Sequence, residues 1–438
     1  MSEKTGSSTS TSTSSTVTKY SLPVIVATRL CVALLQPFDL VHDHQLSSPL
    51  TSYRNLQEGI HLFRSGVDPY SGGVFRHSPL YLSLFSTLIP NSRTFAAILW
   101  TLCDAIGAYA LVEIWRARQG LGKTVQSSRD SLVAGAYLLN PYLFLPSLAL
   151  STSSFENMLA LLVLMFACQS AWTPHPFAGS RNPKFTGKTS QALLAASFLL
   201  HLSLSSIVLL APTLLLLLSD PHSHLASPRA FSGNLKRIPS LLLEFLAYFF
   251  SLTIASCLVS GGVTWMSQTW GASLTLPDLT PNTGLWWYFF TEMFDHFRPF
   301  FLMVFSVHLF IYIAPMCIKF QYDPLYAAFV LFGVLGTFKA YPTFSDPGLF
   351  ITMHVLFPEI YPYLRYPIVT ALLHLHAALL MPLFHNLWLA QGTGNANFYY
   401  ASTLVFGCAN GAAVIDALWA GLRIAVGEEK EGWAVAQE

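Results

Sequence analysis

Two asparagines near the end of the chain have the residue type and spacing expected of a ligand-binding loop. Asn395 and Asn397 lie two residues apart, so their side chains point the same way in an extended segment. Each side-chain amide offers N–H donors and a carbonyl acceptor, which suits phosphate and sugar groups. Gly394 has no side chain and lets the backbone approach a ligand closely. A structural role stays open, because Asn397 is also a plausible N-cap for an apolar helix over 398–422.

Three other stretches combine glycine or proline with hydrogen-bonding side chains. They cover 66–80, 277–282 and 339–343. Residues of this kind fix tight, non-helical turns, and each stretch on its own is also consistent with a simple connection. Together with the asparagine loop they predict one composite polar site. The predicted site residues outside that loop are Asp68, Tyr70, Asn282, Glu292 and Tyr399.

The sequence predicts no catalytic residue, no metal site and no cofactor. The cysteines lie in or beside apolar runs, where small packed residues are expected, and show no CxxC or Cys/His metal spacing. They are Cys31, Cys103, Cys168, Cys257, Cys317 and Cys408. Because none lies in a polar loop, we predict no Cys/His nucleophile. Asp39, Asp43 and Asp68 leave open a general base for a transferase.

The composition indicates what kind of protein holds these loops. Of 438 residues, 53% are hydrophobic and 10% are charged, whereas soluble domains carry about 25% charged residues. So little charge excludes a soluble multidomain enzyme, and the high hydrophobicity excludes a disordered chain. A net charge of +1 gives no basic face for nucleic acid. We therefore expect an all-α, polytopic membrane protein.

Apolar runs predict about 12 membrane-spanning helices, since a bilayer core of about 30 Å needs about 20 apolar residues per helix. The predicted spans are 20–38, 79–114, 131–150, 154–172, 190–204, 205–219, 239–260, 299–316, 323–338, 347–358, 364–390 and 398–422. The run at 79–114 is interrupted at Pro90 and is expected to cross once, after a short helix. Four acids inside the spans are scattered rather than arranged as a relay, which favours structural pairing. These acids are Asp104, Glu156, Glu244 and Asp416.

The distribution of Lys and Arg orients the chain with both ends in the cytosol. The loops predicted to face the lumen are 39–78, 151–153, 261–298, 339–346 and 391–397. The expected organisation is a disordered cytosolic tail at 1–19, a single membrane domain at 20–423 and a cytosolic tail at 424–438. The first lumenal loop violates the charge bias because it contains Arg54, Arg64 and Arg76. These arginines need another reason to lie there.

Two short helices are expected at the lumenal surface of the membrane. The first begins with Ser48 as N-cap and Pro49 at the first helical position. Its apolar face consists of Tyr53, Leu56, Ile60 and Phe63. The second covers 284–297 and carries an aromatic stripe. Amphipathic helices of this kind lie in the interface plane.

At the polar loops the sequence closely resembles the PIG-U family. This family is the multi-spanning subunit of the glycosylphosphatidylinositol (GPI) transamidase of the endoplasmic reticulum. The matching stretches are 66–72, 277–282 with 287–294, 339–343 and 395–401. They occur in the family's order, and the resemblance extends from about residue 21 to about residue 423. The stretch 277–297 is the most specific, because lipid-linked mannosyltransferases carry a loop similar to 66–72.

The resemblance implies a non-catalytic, multi-pass subunit of the endoplasmic reticulum membrane, with a fold similar to the GT-C glycosyltransferases. Such a subunit helps to present the GPI lipid, or the attachment signal of the substrate protein, to a separate cysteine-protease-like catalytic subunit. The implied partners are the other transamidase subunits, the GPI lipid and membrane phospholipids, and no nucleic acid. The predicted site residues would meet the phosphate, mannose and phosphoethanolamine groups of GPI.

The sequence also has two alternative interpretations. The first is a GT-C-type mannosyltransferase of GPI synthesis that uses dolichol-phosphate-mannose, with Asp39, Asp43 or Asp68 as its general base. The second is a transporter or flippase, which is disfavoured because the sequence shows no inverted repeat.

Overall fold

The computed structural model of the chain describes residues 11–35, 39–90, 92–121, 127–171, 187–220 and 223–427, together with 432 and 435. These residues form helices joined by turns and contain no β-strand. In chain order the α-helices are α1 (Thr11–Leu35), α2 (Tyr53–Arg64), α3 (Pro79–Ser83), α4 (Arg93–Arg118), α5 (Arg129–Leu138), α6 (Pro141–Leu148), α7 (Ser153–Ala171), α8 (Gly187–Leu202), α9 (Leu210–Leu218), α10 (Ile238–Ser260), α11 (Thr264–Met266), α12 (Ala272–Thr275), α13 (Trp287–Glu292), α14 (Arg298–Ile311), α15 (Ile313–Lys319), α16 (Pro324–Phe338), α17 (Ser345–Met353), α18 (Pro367–His385) and α19 (Ala396–Val426). Short 3₁₀ segments cover Leu204–Leu209, Leu235–Arg237, His354–Leu356 and Pro358–Tyr363, and π-helical segments cover Leu84–Leu88, Ser267–Gly271 and Asn386–Ala390.

Six helices in this part of the chain are long and apolar enough to cross a membrane. They are Arg93–Arg118, Ser153–Ser170, Leu235–Ser260, Arg298–Lys319, Pro367–Ala390 and Ala396–Val426. A seventh span results if α5 and α6, which meet at a bend of 50°, are counted as one. The protein therefore has the character of an all-helical membrane protein. The expectations of about 12 spans and of a GT-C-like arrangement are not confirmed.

The count differs because several predicted spans are helices too short to cross a bilayer alone. A helix occurs at every predicted span, but α8 has 16 residues and α16 has 15. At 1.5 Å per residue such helices reach about 22–24 Å, short of a bilayer core of about 30 Å. The apolar run at 190–219 breaks at Ser203, whose φ of −140° is extended.

The helix α16 lies in the core of the protein. Every residue from Pro324 to Thr337 is buried, as expected of a helix that is apolar on all sides. It packs against α9, α17 and α19. Its N-cap, Asp323, lies 2.8 Å from the guanidinium of Arg118 at the end of α4. The run that the sequence suggested as a span is thus an internal helix with an ion pair at its first turn.

Close packing between α16 and α17 depends on Gly336. A Cβ atom there would lie 2.9 Å from the N and Cα atoms of Pro347, and backbone atoms cannot rotate away. We expect Gly336→Ala to lower the free energy of unfolding by about 1–3 kcal/mol. Gly411→Ala in α19 is the matched control, because no atom lies within 4 Å of its Cβ position, and it should stabilise the helix by about 0.5–1 kcal/mol. Thermal unfolding in one detergent measures both changes, and equal midpoints would contradict the packing argument.

The first predicted surface helix is α2, but it begins later than expected. Its N-cap is Ser52 rather than Ser48, because Ser48 and Thr51 close a separate turn with bonds of 2.9 and 3.1 Å. Its apolar face packs against α4 and the segments around it, with Tyr53, Leu56 and Ile60 buried and Phe63 partly buried. Its place in the membrane interface stays a prediction.

The second predicted surface helix, over 284–297, is shorter than expected. Only Trp287–Glu292 is helical, with Trp287 and Phe290 buried, whereas Phe294 and Phe297 are exposed. The structure describes the predicted tails, 1–19 and 424–438, only in part. Within them, α1 already begins at Thr11 and α19 continues to Val426. Residues 1–10 lie outside the described residues.

Each acid inside a predicted span has a partner, as the scattered pattern favoured. Asp104 is paired with Arg29, and Glu156 lies 3.2 Å from Lys339. Glu244 accepts a 3.1 Å bond from the Tyr248 hydroxyl. Asp416 accepts bonds of 2.7 and 3.2 Å from the backbone N–H groups of Arg365 and Tyr366. Asp104, Glu156 and Asp416 therefore tie different segments together, whereas Glu244 bonds within its own helix, α10.

Candidate functional site

The loop 391–395 leads directly into α19, and Asn395 is the N-cap of that helix. Its Oδ1 accepts a 3.3 Å bond from the backbone N–H of Phe398. The capping role considered for Asn397 is therefore wrong, because the helix begins at Ala396 and Asn397 lies inside its first turn. Asn395 remains exposed, and its side-chain amide nitrogen has no partner among the described residues.

Asn397 faces the short helix α13 instead. Its Oδ1 accepts a hydrogen bond from the hydroxyl of Tyr288, and both Asn397 and the nearby Glu292 are exposed. Desolvation and the adjacent Glu292 carboxylate raise the pKa of Tyr288. The structure thus brings Asn395, Asn397, Tyr288 and Glu292 to one place, which we call the rim site.

An aromatic cluster lies beneath the rim site. Tyr399 is fully buried, and its ring centroid lies 5.8 Å from Trp287, 6.2 Å from Trp388 and 5.1 Å from His385. Three buried polar atoms in this cluster have no hydrogen-bond partner in the described part of the chain: the Tyr399 hydroxyl, Trp287 Nε1 and His385 Nε2. Such groups cost about 1–3 kcal/mol each when unpaired, so the cluster is where a polar group from outside the chain is expected.

Asn282 and Gly394 support the rim site without facing it. Asn282 is buried; its Oδ1 accepts a 2.8 Å bond from the N–H of Gly284, and its amide donates to the carbonyl of Thr280 at 3.3 Å. This turn leads to Leu285, whose carbonyl accepts a 2.9 Å bond from Tyr400. A Cβ at Gly394 would lie 3.1 Å from Trp388 N, so the close approach there is to the protein's own backbone.

Asp68 and Tyr70 lie in a different cluster. Asp68 Oδ1 accepts a 3.0 Å bond from the N–H of Tyr70, and the Tyr70 hydroxyl donates to the carbonyl of His77 at 3.0 Å. Burial and the Asp68 charge raise the pKa of Tyr70. Its ring packs on Phe75 at 5.1 Å. These contacts close the loop 66–77 on itself, and the structure does not bring the pair to the rim site.

Asp39 and Asp43, the other two candidates for a general base, have different partners. Asp39 lies 3.9 Å from Arg93 and is 65% exposed, whereas Asp43 accepts a 2.8 Å bond from the backbone N–H of Gln45. Asp43 is near enough to interact electrostatically with His385 and Tyr399. With Asp68 in its own loop, the three acids occupy three different environments. No group of three or more metal-ligating side chains is found where the structure describes the chain.

Sequence reasoning missed a cavity of about 70 Å³ that lies between α7, α14 and the loop after α16. Its polar lining includes Arg76, Glu156, Lys339 and Tyr341, and we call it the Lys339 cavity. Two signals pointed to it: Arg76 violated the charge bias of its loop, and Lys339 begins one of the polar stretches. The sequence did not show that they share a cavity with Glu156.

An ion triad forms one wall of this cavity. Lys339 Nζ lies 3.2 Å from Glu156 Oε2 and 2.8 Å from Asp346 Oδ1. Burial opposes the charge on Lys339, but the carboxylates of Asp346 and Glu156 outweigh that effect and raise its pKa. Asp346 Oδ2 accepts a 2.8 Å bond from the N–H of Thr343. The triad therefore stays charged and fixes the loop 339–346 to α7 and α17.

Comparison with known proteins gives one consistent result. A family model described as GPI transamidase subunit PIG-U matches residues 23–406. The GPI transamidase component GAB1 of Saccharomyces cerevisiae is 34% identical over 405 residues, which cover 91% of this chain and 93% of that protein. The GPI-anchor transamidase component PIGU of Homo sapiens is 31% identical over 411 residues, covering 86% and 87% of the two chains. The GAB1 homolog of Schizosaccharomyces pombe is 29% identical over 377 residues, with 85% coverage of each.

Proposed function

The chain belongs to the PIG-U family of GPI transamidase subunits, and on that premise we propose that its rim site binds the polar headgroup of the GPI lipid. The headgroup carries phosphate, mannose and phosphoethanolamine. Exposed amides at Asn395 and Asn397 suit the sugar and phosphate oxygens, and the Glu292 carboxylate suits the ammonium group. The chain would hold the lipid for a separate catalytic subunit.

The observation that carries this proposal is the set of unpaired polar atoms beneath the rim. The Tyr399 hydroxyl, Trp287 Nε1 and His385 Nε2 are buried without partners in the described residues. The ring centroid of Trp287 lies 5.3 Å from that of Tyr288, whose hydroxyl donates to Asn397. Buried polar groups in native proteins are nearly always hydrogen-bonded. A headgroup that reaches the aromatic cluster would supply the missing partners.

The wider setting is part of the same proposal. The chain would lie in the endoplasmic reticulum membrane with both ends in the cytosol and a GT-C-like arrangement. It would act as a non-catalytic subunit beside a cysteine-protease-like partner, and the attachment signal of the substrate protein is a second ligand to test. Asp68 and Tyr70 would contribute by shaping the first loop. The mannosyltransferase alternative is not favoured, because the matching family and the relatives are described as GPI transamidase components.

The asparagines separate ligand binding from helix capping. Serine can replace Asn395 as an N-cap at a cost of a few tenths of a kcal/mol, whereas it removes the amide that would contact a headgroup. We expect Asn397→Ser and Asn395→Ser to assemble normally and to lower GPI retention about 5- to 30-fold, the effect of losing one or two hydrogen bonds. The measurement is GPI bound per purified transamidase complex, together with anchoring activity in cells.

Asn395→Ala is the control, because it loses the cap and should cost about 1 kcal/mol of stability. If Asn395→Ser and Asn397→Ser both retain GPI like the parent, the asparagines are structural and the headgroup lies elsewhere. Cells with a defective rim site should accumulate complete GPI and unprocessed substrate proteins. Accumulation of a GPI precursor that lacks a mannose would instead support the transferase.

A further inference from the structure

We propose that the Lys339 cavity binds one lipid with a phosphoethanolamine headgroup, its phosphate beside Arg76 and its ammonium beside Glu156. The cavity shares no lining residue with the rim site, so it is a second lipid site. Three features carry this inference: an arginine without a counter-ion, a carboxylate with a free oxygen, and an apolar path that leads outward.

Arg76 provides the positive charge. It is half-buried and lines the cavity, and its Nη1 donates a 3.2 Å bond to Gln268 Oε1. Among the described residues no carboxylate oxygen lies within 4.0 Å of it. A partly desolvated guanidinium without a counter-ion favours an anion, and its planar fork matches the oxygens of a phosphate.

The ion triad provides the opposite charge. Lys339 carries one positive charge against the two carboxylates of Glu156 and Asp346, which leaves a surplus of negative charge. Asp346 is occupied by Lys339 and Thr343. Glu156 uses Oε2 for Lys339, and its Oε1 has no partner where the structure is described. The surplus negative charge is therefore available at Glu156, which lines the cavity.

These two charges select a zwitterion with a primary ammonium. A net anionic headgroup would be attracted by Arg76 and repelled by Glu156. A simple cation would be attracted by Glu156 and repelled by Arg76. Glu156 is a carboxylate acceptor, and a charged N–H donor gives it a strong hydrogen bond. A phosphoethanolamine offers three such donors, whereas the quaternary ammonium of phosphocholine offers none.

An apolar path accounts for the chains of the lipid. Much of the lining is hydrophobic and includes Leu204, Ile207, Leu274, Leu309 and Phe310. Leu274 and Ser306 also belong to an outer groove of about 780 Å³ along α14, lined further by Leu302, Met303 and Val307. Only 17% of the apolar window in Arg298–Lys319 is buried. The cavity thus opens towards the surface that meets the membrane, where acyl chains can leave it.

The test compares the lipids that copurify with the complete transamidase complex, identified and quantified by mass spectrometry. The variants are Arg76→Gln, Glu156→Gln and Ser306→Phe, the last of which narrows the opening to the outer groove and leaves both charges in place. The parent complex should retain about one phosphoethanolamine lipid per chain. Each variant should lower that amount about tenfold, the effect of losing one charge-assisted hydrogen bond or the chain path. Arg93→Gln and Glu244→Gln, which lie outside the cavity lining, are the matched controls.

The source of the headgroup is resolved by exchange into nanodiscs of deuterated phosphatidylethanolamine or phosphatidylcholine. Uptake of the ethanolamine lipid alone supports the inference with a membrane phospholipid as occupant. Retention of GPI that resists exchange, persists in Asn397→Ser and is lost in Arg76→Gln supports the same headgroup chemistry with GPI as its source. Equal uptake of phosphatidylcholine, full retention by Arg76→Gln and Ser306→Phe, or no bound lipid in the parent would each overturn it. Asn397→Ser should leave this occupancy unchanged, so failure of the rim site is distinguishable.

Discussion

Replacing Arg118 with methionine is expected to lower the free energy of unfolding by about 3–5 kcal/mol. The side chain of Arg118 is 2% exposed and contacts both Asp323, at 2.8 Å, and Glu359. Its guanidinium also lies 4.6 Å from the ring centroid of Phe357. Methionine carries no charge, so Asp323 at the start of the buried helix α16 and Glu359 in the segment Pro358–Tyr363 would both lose their counter-ion.

Arg93→Met at the opposite end of α4 is the matched control. Arg93 is 49% exposed, and its closest distance to Asp39 is 3.9 Å, which is long for an ion pair. Its loss should therefore change stability by less than about 1 kcal/mol. Thermal unfolding of both variants in the same detergent gives the comparison. If Arg118→Met unfolds at the same temperature as Arg93→Met, the buried ion pairs do not hold α16 in place.

A combined variant tests the mechanism rather than the position. Asp323→Asn and Glu359→Gln remove the two negative charges, and Asn is still able to cap α16. Added to Arg118→Met, they should recover most of the lost stability, because an uncompensated buried charge is the main cost. A further loss in the triple variant would mean that hydrogen bonds, not charges, carry the effect.

The sequence located the helices but not their environment. Hydropathy finds apolar helices, and every predicted span contains one. It does not distinguish a helix that faces lipid from one enclosed by other helices, because both are apolar. The helix α16 shows the difference: its residues from Pro324 to Thr337 are buried in protein, and its 15 residues are too few for a bilayer core of about 30 Å.

The candidate site was predictable where residue type alone was informative. The spacing of Asn395 and Asn397 marked the loop, but the cap is decided by the residue at which α19 begins, and such boundaries are uncertain by one or two residues. Asp68 and Tyr70 belonged to the same sequence pattern, yet they close their own turn. Turn residues look alike whether they bind a ligand or only fold a loop.

The Lys339 cavity was beyond the reach of a single sequence. Lys339 and Glu156 are 183 positions apart, and no periodic pattern connects them. What the sequence did contain was an anomaly: Arg76 lies in a loop whose predicted side disfavours arginine. The structure gives a reason for that arginine, since it supplies a positive charge to a cavity that Glu156 of the negatively charged ion triad also lines.

The second large effect is a loss of stability in acid that depends on His77. Burial lowers the pKa of His77 to about 4, compared with about 6.5 in an unfolded chain. The neutral ring is therefore favoured in the folded state. Its contribution to stability is complete above pH 6.5 and is lost as the pH falls through 4. The loss expected at pH 4 is about 3 kcal/mol.

The contacts of His77 explain why protonation is unfavourable there. Its side chain is buried, and its Nε2 lies 2.9 Å from the carbonyl oxygen of Ser52, so the neutral ring donates from that nitrogen. Its Nδ1 is buried without a partner in the described part of the chain. A second proton on Nδ1 would place both a charge and an unpaired donor in an apolar cluster beside Tyr81 and Phe75.

His77→Gln should therefore flatten the decline between pH 6.5 and pH 4 while changing stability at pH 7 by only about 1 kcal/mol. Glutamine can still donate to Ser52 and does not titrate. His61→Gln, at an exposed position of α2, is the matched control and should leave the decline as steep as in the parent. The measurement is the thermal unfolding midpoint of each protein across this pH range, and other buried histidines cancel in the comparison because all three proteins contain them. An equally steep decline in His77→Gln would place the acid sensitivity elsewhere and remove the first loop as its source.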